Sequence, residues 1–331
     1  MKDWKNYAKL AVTAIILTLI FRRLDWHAFA RELASMRLEW LLAGFACIGV
    51  STVTQALRWR CLLRVQRVNP ALSQTWLIVM IGQFFNQFLP GSVGGDVIKA
   101  YYIVRQTPSL KERAVLAVLL DRVLGLAAIL FMTLLLIPWQ FEKITADRDA
   151  RLIIIGLAAL LVSVFLGLAF LWLFPLQKLP PVFHRRWQKV PKREILESLY
   201  AGFHAHGKNL RSTSAAAAFA LLSVGFVLST GHLIGRAFEL DAGYAQMTII
   251  FSIVLCAIAL PVSVSGHGLR EWAFVTLFPI FTVTRHGQPA SEATALACST
   301  MFLGLTLLWA LIGGVIYLAY SHRLKTGDPN P

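Results

Sequence analysis

Charge is scarce in this chain, and acid is scarcer than base. Only 15% of the 331 residues are Asp, Glu, Lys or Arg, against about 25% in a typical soluble domain, and the mean hydropathy is +0.63. That deficit excludes an ordinary water-soluble fold of this length. Cysteine is scarce too: Cys47, Cys61, Cys256 and Cys298 lie mostly inside apolar runs with no metal-type spacing. Neither a disulfide framework nor a zinc site follows from them. Also missing are H-E-x-x-H, G-x-S-x-G and the P-loop, so no metal, no cofactor and no catalytic residue is expected.

What is abundant is apolar sequence, 57% of the chain. Several runs approach the ~20 residues that a membrane-crossing helix needs. Seven full spans are expected: Tyr7 to Phe21, Trp40 to Leu57, Ala114 to Ile137, Arg151 to Phe174, Thr213 to Gly235, Tyr244 to Leu260 and Ala293 to Tyr320. The first has the positive start of a signal peptide but no small-x-small cleavage pattern, and reads as an uncleaved helix. Two further runs, Leu72 to Leu89 and Gly266 to Phe281, are interrupted by Gln83, Asn86 and Gln87, and by His267, Arg270 and Glu271. They read as half-inserted helices.

The net charge of +15 is gathered in the short connections, which assigns it to topology and anionic lipid headgroups rather than nucleic acid. Pro175 to Ser212 carries Lys178, Arg185, Arg186, Lys189, Lys192, Arg193, Lys208 and Arg211, and is expected on the cytoplasmic side with the N-terminus and the Arg58 to Arg67 loop. Parity then requires the run from Leu72 to dip in and return. The stretch Arg22 to Glu39, four Arg against three acids, fits that orientation less well. Within the large loop, Ile195, Leu196, Leu199, Tyr200 and Phe203 recur at helical spacing, predicting an amphipathic helix on the membrane surface or packed on the loops. His204 and His206, two apart, do not share a helix face and read as solvated. Arg58, Trp59 and Arg60 read as an aromatic belt residue between snorkelling cations, with a headgroup role for Arg58 as the alternative.

"LPGSVGGD", Leu89 to Asp96, recurs in part as "LPVSVSG", Leu260 to Gly266. Irregular backbone at membrane depth is tolerated only where protein buries it or it lines a wet cavity. Paired broken helices of this kind mark transporter binding sites, where helix N-termini attract anions. Gly91, Gly94 and Gly95 would let backbone approach a phosphate, Asp96 is placed to cap the next helix, and Lys99 lies in its first turn. A water-exposed turn is the plainer reading of the first motif alone. Near the second, Arg270 and Glu271 take the place of Asp96 and Lys99, as a functional site or a structural ion pair. Asp121 and Arg122 interrupt another span, and adjacent helix residues diverge by about a hundred degrees, so each needs a partner elsewhere. For Asp121 these are Lys99 or Arg270; for Arg122, a headgroup phosphate or Glu271.

Taken in order, "RW" at Arg58, "NQFLPGSVGGDVIKAY" from Asn86, "DRVLGL" from Asp121 and "GHGLRE" from Gly266 resemble the transmembrane-region family of lysylphosphatidylglycerol synthases, whose members are called flippase-like and include proteins linked to hopanoid and glycolipid metabolism. The resemblance implies an inner-membrane protein that moves or handles a lipid, and carries over onto Asn86, Pro90, Gly94, Gly95, Asp96, Asp121, Arg122, Gly266, Gly268, Arg270 and Glu271. Where the family commonly has Arg after Gly-Gly-Asp, this chain has Lys99, which keeps the charge but not bidentate phosphate binding. Larger relatives append a cytosolic aminoacyltransferase domain. This chain ends soon after Tyr320, so no synthesis of lysyl-lipid is expected of it.

The expectation is an all-α, polytopic membrane protein forming one transmembrane domain: a first half 1–138, a basic loop 175–212, a second half 213–320 and a tail 321–331. Seven spans would enclose two re-entrant broken-helix hairpins related by an internal repeat. It would transport an anionic lipid, such as a phospholipid, polyprenyl-phosphate-linked, hopanoid or glycolipid species, binding it through Asn86, Pro90, Gly91, Ser92, Gly94, Gly95, Asp96, Lys99, Arg122, Ser263, Gly266, Gly268 and Arg270. Asp121 and Glu271 would gate or couple protons. Partners would be such lipids, a second copy, or lipid-synthesis enzymes. The alternatives are a lipid-modifying enzyme using Asp96 and Glu271 as acid and base, or a non-transporting subunit of a lipid or glycan synthesis complex.

Overall fold

The computed structural model describes residues 26–88, 94–141, 148–173, 193–259 and 267–326. The expected span Tyr7 to Phe21 lies outside them, as do the motif centres Leu89 to Val93 and Leu260 to Gly266, with the site residues Pro90, Gly91, Ser92, Ser263 and Gly266.

The described residues are almost wholly helical: α1 Trp26–Ser35, α2 Leu38–Val65, α3 Leu72–Phe88, α4 Gly94–Gln106, α5 Lys111–Leu136, α6 Arg148–Leu173, α7 Arg193–Lys208, α8 Leu210–Ala237, α9 Tyr244–Ala259, α10 Leu269–Ile280 and α11 Glu292–Thr326. Five of them, α2, α5 with its flanking turns, α6, α8 and α11, are long and apolar enough to cross a membrane. Tyr244 to Leu260, expected as a full span, forms a helix of 16 residues. At 1.5 Å per residue that is about 24 Å, short of a hydrocarbon core of ~30 Å.

The short helices come in pairs, α3 with α4 and α9 with α10, each pair packed on itself and flanked by long helices, α2 and α5 around the first, α8 and α11 around the second. The two four-helix units meet along α2 and α8, which run antiparallel. Arg37 N–H donates to the Ala237 carbonyl at 2.9 Å, Thr230 Oγ1 to Gly44 O at 3.4 Å and Ser51 Oγ to Ser223 O at 2.9 Å. Each step of seven up one helix is a step of seven down the other. Small residues make this seam, as helix pairs without a hydrophobic driving force require.

Each short pair also packs on the last helix of the opposite unit: α3 on α11, and α9 on α5. A Cβ at Gly313 would run into the Met80 carbonyl, so bare backbone brings α11 against α3. Because α2 and α8 are antiparallel, α3 and α9, which follow them, start at opposite ends of the bundle. The α3–α4 pair begins and returns at the end that carries Arg64, Arg67 and α7, where Gln66 and Leu116 both face Gly202. The α9–α10 pair begins and returns at the far end, where Gln246 Nε2 donates to the Phe281 carbonyl at 2.6 Å.

The far end is closed by polar contacts among α1, the α8–α9 turn and a two-stranded hairpin, β1 Thr284–Arg285 and β2 Gln288–Pro289. Its two-residue turn, His286 and Gly287, has φ of 50° and 73°, the left-handed conformation that tight hairpins need. Arg285 Nη1 reaches Glu32 at 2.6 Å, tying α1 to this hairpin.

At the basic end α7 forms as its apolar periodicity predicts, and it packs on α5, α8, α6 and α2. His206, read from sequence as solvated, is instead buried, its ring Nε2 accepting from Gln66 Nε2 at 2.8 Å. The same amide nitrogen donates to Gly202 O at 2.8 Å, which fixes which way the amide points. Burial pushes the His206 pKa down to about 4.

Candidate functional site

Two clusters of buried charge sit beside the two interrupted motifs. In the first unit, Arg58 projects from the last turns of α2, Asp121 and Arg122 from α5, and Asp96 and Lys99 from the first turns of α4. Arg58 Nε donates to Asp121 Oδ1 at 2.6 Å, and Lys99 Nζ lies 3.2 Å from Asp121 Oδ2 and 3.1 Å from Asp96 Oδ1. Arg122 Nη1 meets the other Asp96 oxygen at 2.8 Å. The result is an alternating ladder: Arg58, Asp121, Lys99, Asp96, Arg122. Its interior is sealed, with the Arg58, Lys99 and Asp121 side chains 5%, 5% and 4% exposed; Asp96 is 17% and Arg122 36% exposed.

The backbone makes room for these side chains. Lys99 lies across bare Gly82, with a Cβ there only 3.1 Å from its Cγ, and Gly125 leaves space for the Arg58 guanidinium. The Lys99 ammonium also sits 5.6 Å from the Trp59 ring centroid. Gly95, expected to admit a phosphate, is packed on the Gly82 carbonyl, where any Cβ would clash. Gly94 opens α4 immediately before it. Nor does Asp96 take the expected cap position. The Gly95 N–H is taken by Asn86 Oδ1 at 2.7 Å, across the hairpin from α3, and the Asp96 oxygens hold Lys99 and Arg122.

The second cluster is smaller. Arg270 and Glu271 pair directly through Nη2 and Oε1. Ser299 of α11 accepts from Arg270 Nε at 3.0 Å and donates to Glu271 Oε1 at 3.3 Å. Glu271 Oε2 folds back to the N–H of Gly268 at 2.7 Å, half of a capping box, at a glycine whose φ is 81°. Lys99 and Arg270 each follow the Leu that opens their motif, Leu89 and Leu260, by ten residues. The cations are therefore the matching positions of the repeat. The acids are not: Glu271 corresponds to Ala100.

Asp121 meets Lys99, one of the two partners its position suggested, whereas Arg122 meets Asp96 instead of Glu271. Arg58 and Trp59 are a correction. They are buried in the helical core, not at a membrane boundary, because α2 continues to Val65. The signal was present, since two cations flank a Trp after a long apolar run. Nothing in the sequence singled out Ser299, a Ser in an apolar stretch. Asp96 and Glu271, the acid and base of the enzyme alternative, belong to different clusters and share no partner. Among the described residues, no three His, Cys, Asp or Glu side chains gather as a metal site. The chain's one Asp-x-Asp, Asp147 to Asp149, lies at the start of α6, where Asp149 is exposed and Asp147 falls outside the described residues.

The family model for the lysylphosphatidylglycerol synthase TM region matches residues 6–324. A UPF0104 membrane protein of Methanocaldococcus jannaschii is 24% identical over 140 residues, 42% of this chain and 42% of its own length. The chain thus spans about two fifths of the curated relative it matches.

Proposed function

This chain belongs to the lysylphosphatidylglycerol synthase transmembrane-region family, and we propose that it is a flippase-like transporter, one that moves a phosphate-bearing lipid between the leaflets of the inner membrane. The observation that carries this reading is the first charge cluster, five ionised side chains held among membrane-length helices at the tip of a short helical pair. Charges at such depth are expensive and are retained where something charged must pass or bind. In this reading α3–α4 and α9–α10 are re-entrant hairpins from opposite leaflets, an inverted repeat of the transporter type. The basic end, with α7, faces the cytoplasm. The N-terminus, in this reading, lies on that side too.

The alternating ladder is a gate as well as a site. A lipid phosphate that takes a cation from one rung leaves an acid to re-pair with its neighbour, so the network exchanges partners without stranding a buried charge. The experiment is reconstitution of the full chain into vesicles carrying fluorescent phosphate-bearing lipids, with dithionite quenching of the outer leaflet. Faster loss of the protected inner-leaflet signal than in protein-free vesicles is expected. No acceleration for any of these lipids overturns the proposal.

A further inference from the structure

Outside the buried ladder, the first unit has a face that its own helices leave uncovered. Of the 13 residues of α4 the exposed ones are Val97, Tyr101 and Arg105, standing four apart, and Gln106 at the helix end. The first turns of α5 repeat the pattern with Lys111, Val115 and Leu119. A spacing of four keeps side chains on one side of a helix, so each helix presents a single file. The files are joined at both ends. At one, Arg122 meets Asp96 at 2.8 Å; at the other, the turn Pro108–Leu110 links α4 to α5. They are the two edges of one strip.

The strip is graded along its length. Its lower corner, at the basic end, carries the cations Arg105 and Lys111. Its upper end is the partly exposed pair Asp96 and Arg122. Between them stand exposed apolar side chains, Val97 at 61% and Leu119 at 53%, and a single hydroxyl, that of Tyr101, which is 55% exposed. Its ring is held edge-on against buried Tyr102, 5.4 Å between centroids. Arg105 lies nine residues from Asp96, about 14 Å along a helix, close to half of a hydrocarbon core of ~30 Å. Tyr101 is between the two. The second unit has the aromatic without the cation: counted from the opening Leu of each motif, exposed Trp272 matches Tyr101, and Thr276 matches Arg105. The cation is therefore no requirement of the shared plan.

We infer that this strip is the lateral entrance for an anionic lipid from the leaflet at the basic end, with Arg105 as the residue that captures its headgroup. This rests on the lipid-transport reading and adds the face and the leaflet from which the substrate boards. Arg105 offers the planar fork that binds a phosphate through two parallel hydrogen bonds. The Tyr101 hydroxyl gives the headgroup one polar contact on its way to the Asp96–Arg122 rung. The lipid chains stay in the bilayer against Val97, Val115 and Leu119, which is why the strip suits a lipid and not a free phosphate.

The test uses the full chain in vesicles containing a phosphatidylglycerol with a photoactivatable headgroup, the labelled residues being mapped by mass spectrometry, alongside the dithionite assay. Labelling is expected within Gly94–Gln106 and the first turns of α5. Arg105→Gln should lower that labelling and the initial rate of movement by about three- to tenfold, the loss of a charge-assisted hydrogen bond, and Arg105→Lys should restore part of both. Tyr101→Phe should slow movement less. Arg64→Gln, an exposed cation at the same end on α2, removes the same charge and should change neither. Labelling that avoids the strip overturns the inference, as does an equal loss in Arg64→Gln, which would make Arg105 an ordinary surface cation. Labelling of the strip without transbilayer movement sinks the transport reading and leaves the inference standing. Movement with labelling elsewhere does the opposite.

Discussion

Two regions built on the same plan bury a cation in different ways. In the first unit Lys99 sits between two acids on different helices, Asp96 and Asp121, and the second acid is shared with Arg58. In the second unit Arg270, at the matching place, is satisfied by its sequence neighbour Glu271 and by a neutral hydroxyl. The first solution ties three helices together and leaves one end partly exposed. The second is local to the start of one helix plus a single contact to α11. A shared cation position thus constrains the fold without fixing the chemistry around it. The larger network links α2, α4 and α5; the smaller one links α10 to α11.

The sharpest way to break that comparison is to remove the anion each cation uses. Asp121→Asn leaves both Arg58 and Lys99 short of a partner in a buried site, and should destabilise the protein by about 3–5 kcal/mol, read as a lowered thermal midpoint in detergent. Glu271→Gln should cost less, about 2–3 kcal/mol, since the amide oxygen still accepts from Gly268 N–H and Arg270 keeps Ser299. If Glu271→Gln proves the more damaging, the second cluster is not self-contained.

A smaller effect separates the two units by pH. α7 docks at the basic end, where neutral His206 accepts from Gln66. Its folded pKa, about 4, lies below the ordinary value of 6.5, so between those values the undocked state binds more protons. The docked state is then fully favoured above pH 6.5 and loses stability as pH falls toward 4, by about 2 kcal/mol at about pH 5. Hydrogen exchange should show α7 opening on acidification while α10 keeps its protection. His206→Gln should flatten the α7 response; an α7 whose exchange ignores pH would contradict the buried neutral imidazole.

Much of the helical layout was legible because hydropathy acts locally. Expected spans such as Thr213 to Gly235 and Ala114 to Ile137 fall within α8 and within α5 with its flanking turns. Tyr244 to Leu260 carries no charged residue, so composition could not tell a helix of 16 residues from a full crossing. The buried state of Arg58 escaped for a similar reason. A cation after an apolar run is the mark of a helix end, and only the continuation of α2 to Val65 puts it inside. Solvated histidines were the expectation from a polar loop, yet Gln66, 140 residues away in sequence, turns one of them inward.

By itself the sequence determined that this is a membrane protein, where most of its long helices run, which loops are basic, and that a Leu-Pro-x-Ser-Val motif occurs twice with a cation ten residues after each opening Leu. Those properties belong to single segments and to the solvent each must live in. Only the tertiary structure decided which charges meet. Asp121 is 63 residues from Arg58 and 22 from Lys99, and no local rule orders those pairings. They follow from the close packing of glycine-bearing helices, which brings α2, α4 and α5 near enough that each buried charge finds its opposite.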